Sequence, residues 1–148
     1  MAASQLPFKV HRGAVRRVRN PEPVPCKCRY CGGDVVIAGH KEVYGRLVGA
    51  RWPWVYLCRS CGSFVGMHPD TNLPLGTLAN AALRAARREC KEPFELVWQR
   101  GFMQRRDAYL ALAGHLGLDE HQCHFGLFEI EECRRAKAWA VSVLAGRA

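Results

Sequence analysis

Two six-residue stretches, CRYCGG at 28–33 and CRSCGS at 58–63, are near copies of one another. They give two C-x2-C pairs, Cys28/Cys31 and Cys58/Cys61, with 26 residues between them. Two residues between cysteines let one tight turn aim both sulfurs at a single point, and the turn's amide N–H groups soften the thiolate charge. A glycine follows each pair, Gly32 and Gly62, where such a turn calls for a positive φ. Two turns of this kind facing each other build a tetrahedral four-thiolate cage suited to structural Zn²⁺. A site closed by four sulfurs keeps no position for water, so the metal is expected to hold structure and not to catalyse. The chain has eight cysteines, and the other four are less suggestive. Cys26 stands two residues before Cys28 and competes with it as a ligand, although the spacing favours Cys28. Cys90, Cys123 and Cys133 have no partner at ligand spacing and read as small core residues.

Around the pairs, DVVIAG (34–39), EVYGRLV (42–48), WVYLC (54–58) and SFVGMH (63–68) are short β-branched or aromatic runs, each expected to be a strand. After Pro74 the pattern turns helical. Thr77 is the expected N-cap of a helix over LANAALRAARREC, with Leu78, Ala82 and Ala85 on one face and Pro93 ending or kinking it. A second helix is expected over RDAYLALAGHLGL through Tyr109, Leu112, Ala113 and Leu116. A third runs from about 129 to 144, with Glu131 pairing with Arg135. The fold class is therefore α+β, a small four-cysteine zinc ribbon of β-hairpins followed by about three α-helices. The expected organisation is a flexible basic arm at 1–25, the ribbon at 26–75, and a helical region at 76–148 packed on the ribbon.

The stretches CRYCGGDVV, VYGR, VYLCRSCGSFVGMHPDTNLPLGTLANAALRAARRE, LVW, RRDAYLALAGHLGL and CHFGLFEIEECRRA resemble the zinc-finger-containing domain family of unknown function found in phages and prophages. The resemblance spans about residues 26–140, and its most specific piece is the second cysteine pair running into HPDTNLPLG. It implies a zinc-binding ribbon joined to helices and a mobile-element origin. It brings no established reaction. The chain departs from the family's pattern at Arg29, where the family has proline, and at Lys91, near which the family has a histidine.

Charge narrows the partner. The formal net charge is +9, and six of those nine charges fall in residues 1–30, where Lys9, Arg12, Arg16, Arg17, Arg19, Lys27 and Arg29 face Glu22 alone. A second basic feature, Arg84, Arg87, Arg88 and Lys91, has the spacing of one helical face. A basic arm beside a zinc ribbon suits nucleic acid, DNA or RNA, because each arginine that meets a phosphate releases counterions. Arg12, Arg16, Arg17, Arg19, Arg84, Arg87, Arg88 and Lys91 are the expected contacts. In RWPWVY, Trp52, Trp54 and Tyr56, beside Arg51, offer rings that either stack on bases or pack inward. The alternative function is a protein-interaction module that binds and modulates a host nucleic-acid machine or defence complex through the same surfaces.

Enzymatic readings find less support. HKE at 40–42 with CRSC at 58–61 imitates the H-x-E…C-x-x-C of zinc deaminases, but Leu57 stands where proline is usual and Cys28/Cys31 would have no purpose. For a metal-dependent nuclease, His40, His68, Asp70 and Asn72 make no defined constellation. Phosphate-loop, nucleophile-elbow and metalloprotease motifs are missing. HQCH at 121–124 invites a second metal reading, against which stands His124 packing in a turn between helices. No run reaches the length of a membrane span, and the N-terminus has no signal-peptide core, so a cytoplasmic protein of a bacterial host cell is expected.

Overall fold

The computed structural model describes residues 5–46, 49 and 51–146. The fold is α+β, in two units, Met1–Leu78 and Ala79–Ala148.

In the first unit, helix α1 (Arg12–Arg17) precedes strand β1 (Val35–Gly39), helix α2 (His40–Tyr44), and strands β2 (Trp54–Cys58) and β3 (Phe64–Gly66). The three strands form one antiparallel sheet in the order β1-β2-β3, with Val35 opposite Cys58 and Tyr56 opposite Val65. Alternation along the central strand divides its side chains between the two faces. Tyr56 and Cys58 join Cys28, Val65, Met67 and Leu78 in one buried cluster, while Val55 and Leu57 join Ala38 and Phe64 in another.

The strand expected at 42–48 is not formed. Residues 40–44 make α2 instead, closed by Gly45 in the left-handed region at φ 71, and residues 47 and 48 lie outside the described residues. Local apolar pattern cannot separate one helical turn from a short strand. Two tertiary contacts fix the outcome here: Tyr44 sets its ring edge-on against Phe64, and Glu42 takes both nitrogens of the Arg59 fork.

The segment read as an arm contains α1. His11 caps it, its Nδ1 accepting from the Ala14 amide at 3.3 Å, and Ala14 is buried. Phe8 lies against Trp52 and Trp54, at 4.9 and 5.2 Å between ring centroids, and the His11 amide donates to the Asp70 carbonyl.

In the second unit, α3 (Ala81–Gln99), α4 (Arg105–Leu116) and α5 (Ile130–Leu144) surround one core of Leu83, Phe94, Val97, Leu112, Phe128 and Trp139, with short 3-10 turns at Glu120–Gln122 and Phe125–Leu127. Cys90, Cys123 and Cys133 are buried in this core, as expected of small apolar residues. The N-cap of α3 is Asn80 and not Thr77, its side chain accepting from the Leu83 amide at 2.9 Å. The buried face of α3 is Leu83, Cys90, Phe94 and Val97 and not the expected Leu78, Ala82 and Ala85: Leu78 lies before the helix, buried in the first unit's cluster, and Ala82 is exposed. Glu131 pairs with Arg134 one turn on, while Arg135 donates to the His115 carbonyl.

Pro93 does not end α3, which runs through it to Gln99. A mid-helix proline forfeits one backbone hydrogen bond and costs about 3 kcal/mol relative to alanine. Phe94 and Val97, both 0% exposed, supply burial that outweighs this. Pro93→Ala is therefore expected to stabilise the helical unit, by roughly 1–3 kcal/mol in urea unfolding followed by the helical circular dichroism signal. A lower midpoint than wild type would show that the ring's own packing matters more than its missing N–H.

Candidate metal centre

Each cysteine pair sits on a turn of the same construction. The Cys28 amide donates to the Gly33 carbonyl and the Gly32 amide to the Cys28 carbonyl; the Cys58 amide donates to the Ser63 carbonyl and the Gly62 amide to the Cys58 carbonyl. Gly32 and Gly62 take φ of 75 and 82, a region in which any side chain is strained. The first turn flanks β1 and the second joins β2 to β3, so the sheet register brings the two knuckles together.

The four sulfurs converge. Cys28 and Cys61 lie 3.5 Å apart, Cys31 and Cys58 3.4 Å apart, and all four ligand atoms fall within 4.8 Å of one another. A tetrahedral ion with bonds of about 2.3 Å to sulfur sets its ligands about 3.8 Å apart, so the arrangement fits zinc. Cys28 and Cys58 are buried and Cys31 and Cys61 exposed, which puts the site at the edge of the sheet's core. The amides of Tyr30 and Gly33 point at the sulfurs of Cys28 and Cys31, each at 3.4 Å, and disperse thiolate charge.

The thiols do not ionise alike. The hydroxyl and amide of Ser63 hold Cys61 down at about 6. The Gly33 amide pulls Cys31 down too, yet its hydrogen bond with Cys58, burial and the crowding thiols push it up to about 12. A metal ion binds thiolates and must displace such protons, so it is held less tightly as the solution is acidified.

One residue essential to this approach was not evident from the spacing. A Cβ at Gly33 would lie 2.9 Å from the Ser60 hydroxyl and 3.2 Å from the Cys58 sulfur, so a side chain at position 33 would crowd the second knuckle and one of its ligand sulfurs. The doubled glycine of CRYCGG, where the second knuckle has Gly62-Ser63, was the available signal. The Glu42–Arg59 clamp, at 2.8 and 3.0 Å, was also missed; nothing local marks residues 17 apart as partners.

A model of the zinc-finger-containing domain family matches residues 24–142. The chain belongs to that family. Among the curated proteins and the solved structures, none matches it. The family match takes in the four converging cysteines, both of their turns, α3, α4 and α5 up to residue 142, and leaves α1 outside.

The remaining candidates are dispersed. Cys26 is exposed with its sulfur toward the Val24 carbonyl, and among the described residues only Cys28, Cys31, Cys58 and Cys61 form a group able to hold a metal. His121 and His124 are exposed while Cys123 is buried, so HQCH does not gather into a second site. His40 stacks edge-on against Tyr44, its pKa lowered by burial, and Glu42 is committed to Arg59, so the deaminase-like residues are not assembled. Trp52 and Trp54 pack on Phe8, and Tyr56 is buried with its hydroxyl on the Asn72 carbonyl.

Of the basic residues, Arg12, Arg16, Arg17 and Arg19 are all exposed and lie on or just after α1. The second set divides. Arg84 and Arg87 are half-buried and donate to the carbonyls of Ala79 and Phe128, at 2.8 and 2.9 Å; Arg88 is exposed, and Lys91 stands 3.8 Å from Glu95. Among the described residues, no helix is long and apolar enough to cross a membrane.

Proposed function

We propose that the chain is a non-catalytic nucleic-acid-binding protein of phage or prophage origin, its ribbon held by one structural zinc ion. The observation that carries this is the density of cations on and just after α1: Arg12, Arg16, Arg17 and Arg19 are all exposed, and among the described residues no carboxylate pairs with any of them. Four exposed guanidinium groups within eight residues repel one another, and a polyanion relieves that repulsion. The packing of Phe8 and Ala14 gives the cluster a fixed place on the zinc-bearing unit.

The test is a fluorescence titration of the zinc-loaded full chain against duplex DNA, single-stranded DNA and RNA over a salt series. Binding is expected to weaken steeply with salt. Replacing all four arginines by alanine is expected to flatten the salt slope by about 0.9 for each duplex phosphate that is no longer neutralised. Absence of binding to all three near physiological salt would overturn the reading. That result would favour capture of a host protein complex, for which α5 offers Ile130 and Val141, exposed by 52% and 44% and three helical turns apart on one face.

A further inference from the structure

We infer that a groove between the N-terminal segment and the HPDTN loop is a phosphate-binding site. This rests on the nucleic-acid reading for its biological ligand, though not for its chemistry. The groove has a volume of about 490 Å³ and is lined by Lys9, Val10, His11, Arg17, Arg51 and Asp70. That volume is in the range of small-ligand sites, which are mostly apolar, but here every lining residue except Val10 is charged or polar. It suits a charged group that stays in contact with water.

Three cationic side chains face the groove against one carboxylate. Lys9, Arg17 and Arg51 are exposed, so their charges are not buried in the protein. Asp70 offsets only one of these three charges. Its carboxylate pairs with Arg51, and its carbonyl accepts from the His11 amide at 2.8 Å. One residue thus ties together both walls, and does so with a left-handed backbone at φ 63, an uncommon conformation for a residue with a side chain. A guanidinium carries five donors, so pairing with Asp70 engages only part of Arg51 and leaves others for a second oxyanion.

His11 and Arg17 lean toward each other over Gly13. A Cβ there would come within 3.0 Å of the His11 ring and 3.7 Å of an Arg17 nitrogen. With Nδ1 accepting from Ala14, the His11 proton resides on Nε2, which makes that atom a donor. An ammonium, two guanidinium forks and an imidazole N–H together match the several acceptor oxygens of a phosphate. Lys9, His11 and Arg51 had not been singled out among the expected contacts; the fold brings Arg51 to Arg17 from 34 residues away in sequence. The ligand is a phosphate group, either a phosphodiester of a nucleic-acid strand or the phosphate of a free nucleotide.

Nuclear magnetic resonance of the ¹⁵N-labelled, zinc-loaded full chain tests this, with pyrophosphate, a mononucleotide and a single-stranded oligonucleotide as separate ligands. The doubly reversed variant Lys9→Glu/Arg17→Glu is compared with Lys137→Glu, an exposed lysine on α5. The expected result is that the oligonucleotide shifts the amides of 9–17, 51 and 70, and that the salt slope of the double variant, and not of the control, becomes shallower by about the share of two phosphates. Oligonucleotide binding with those amides unmoved and the double variant unaffected would overturn the groove while leaving nucleic-acid binding intact. Groove shifts with pyrophosphate or the nucleotide but none with the strand would uphold the phosphate site and assign it to a free phosphate ligand, overturning the strand as its occupant. No response to any of the three ligands would overturn the phosphate site, and the titration against duplex DNA then decides the nucleic-acid reading separately.

Discussion

Treatment of the zinc-loaded full chain with a strong chelator at neutral pH is expected to unfold the sheet of the first unit while the helices of the second persist. The ribbon has little else to hold it. Its central strand β2 is flanked by two thin clusters, and two of the six buried members of one, Cys28 and Cys58, are themselves ligands. Structural zinc contributes about 10–16 kcal/mol of apparent binding free energy in small zinc modules. A whole domain is stable by only about 5–15 kcal/mol, so the loss is comparable to everything that keeps the unit folded. The helical unit has its own core around Leu83, Phe94 and Val97, and among the described residues its cysteines form no group able to hold a metal. One zinc per chain should be released, amide dispersion from Val55 to Cys58 should collapse, and the helical circular dichroism signal should survive. Dispersion that persists after the metal has left would show that packing alone sustains the sheet. Cys58→Ser, at a position 0% exposed, should reproduce the effect of chelation, whereas Cys26→Ser should bind metal as wild type does.

What could be read from the sequence divides along the range of the interactions involved. The metal centre was legible because a C-x2-C pair with a following glycine is a local device, and its duplication states that two halves meet. The strands at 34–39 and 54–58 were legible for the same reason, since alternation and β-branching are properties of a few neighbouring residues. The helix at 40–44 was not, because its partners Phe64 and Arg59 lie some twenty residues away and decide against the strand that the local pattern offers. Pro93 shows the converse failure. A local rule stops the helix there, and the burial of Phe94 and Val97 overrides it. The basic stripe on α3 followed the helical period correctly, yet period alone says nothing of carbonyls brought alongside, and Arg84 and Arg87 are engaged by Ala79 and Phe128. Prolines at 7, 21, 23 and 25 suggested a loose arm; the helix between them depends on Phe8 reaching two tryptophans that are far off in sequence.

Phe94→Ala is expected to be the most destabilising single change in the helical unit. Phe94 is 0% exposed, and its ring lies 4.7 Å from that of Tyr109 on α4, 5.0 Å from Phe125 in the 3-10 turn and 6.3 Å from Trp139 on α5. Both other long helices of the unit therefore meet α3 at this ring. Truncation leaves a cavity that rigid helices fill only in part, and buried Phe→Ala changes cost about 3–5 kcal/mol. At about 0.05–0.15 kcal/mol per residue, a unit spanning 79–148 has roughly 4–10 kcal/mol in all, so the change consumes a third or more of it. Urea unfolding followed by the helical circular dichroism signal should show the loss, with zinc stoichiometry unchanged because no ligand belongs to this core. Leu110→Ala, on α4 with 41% exposure, tests the same helix without opening the core and should shift the midpoint little. Equal losses for the two variants would mean that burial at position 94 is not what joins the three helices.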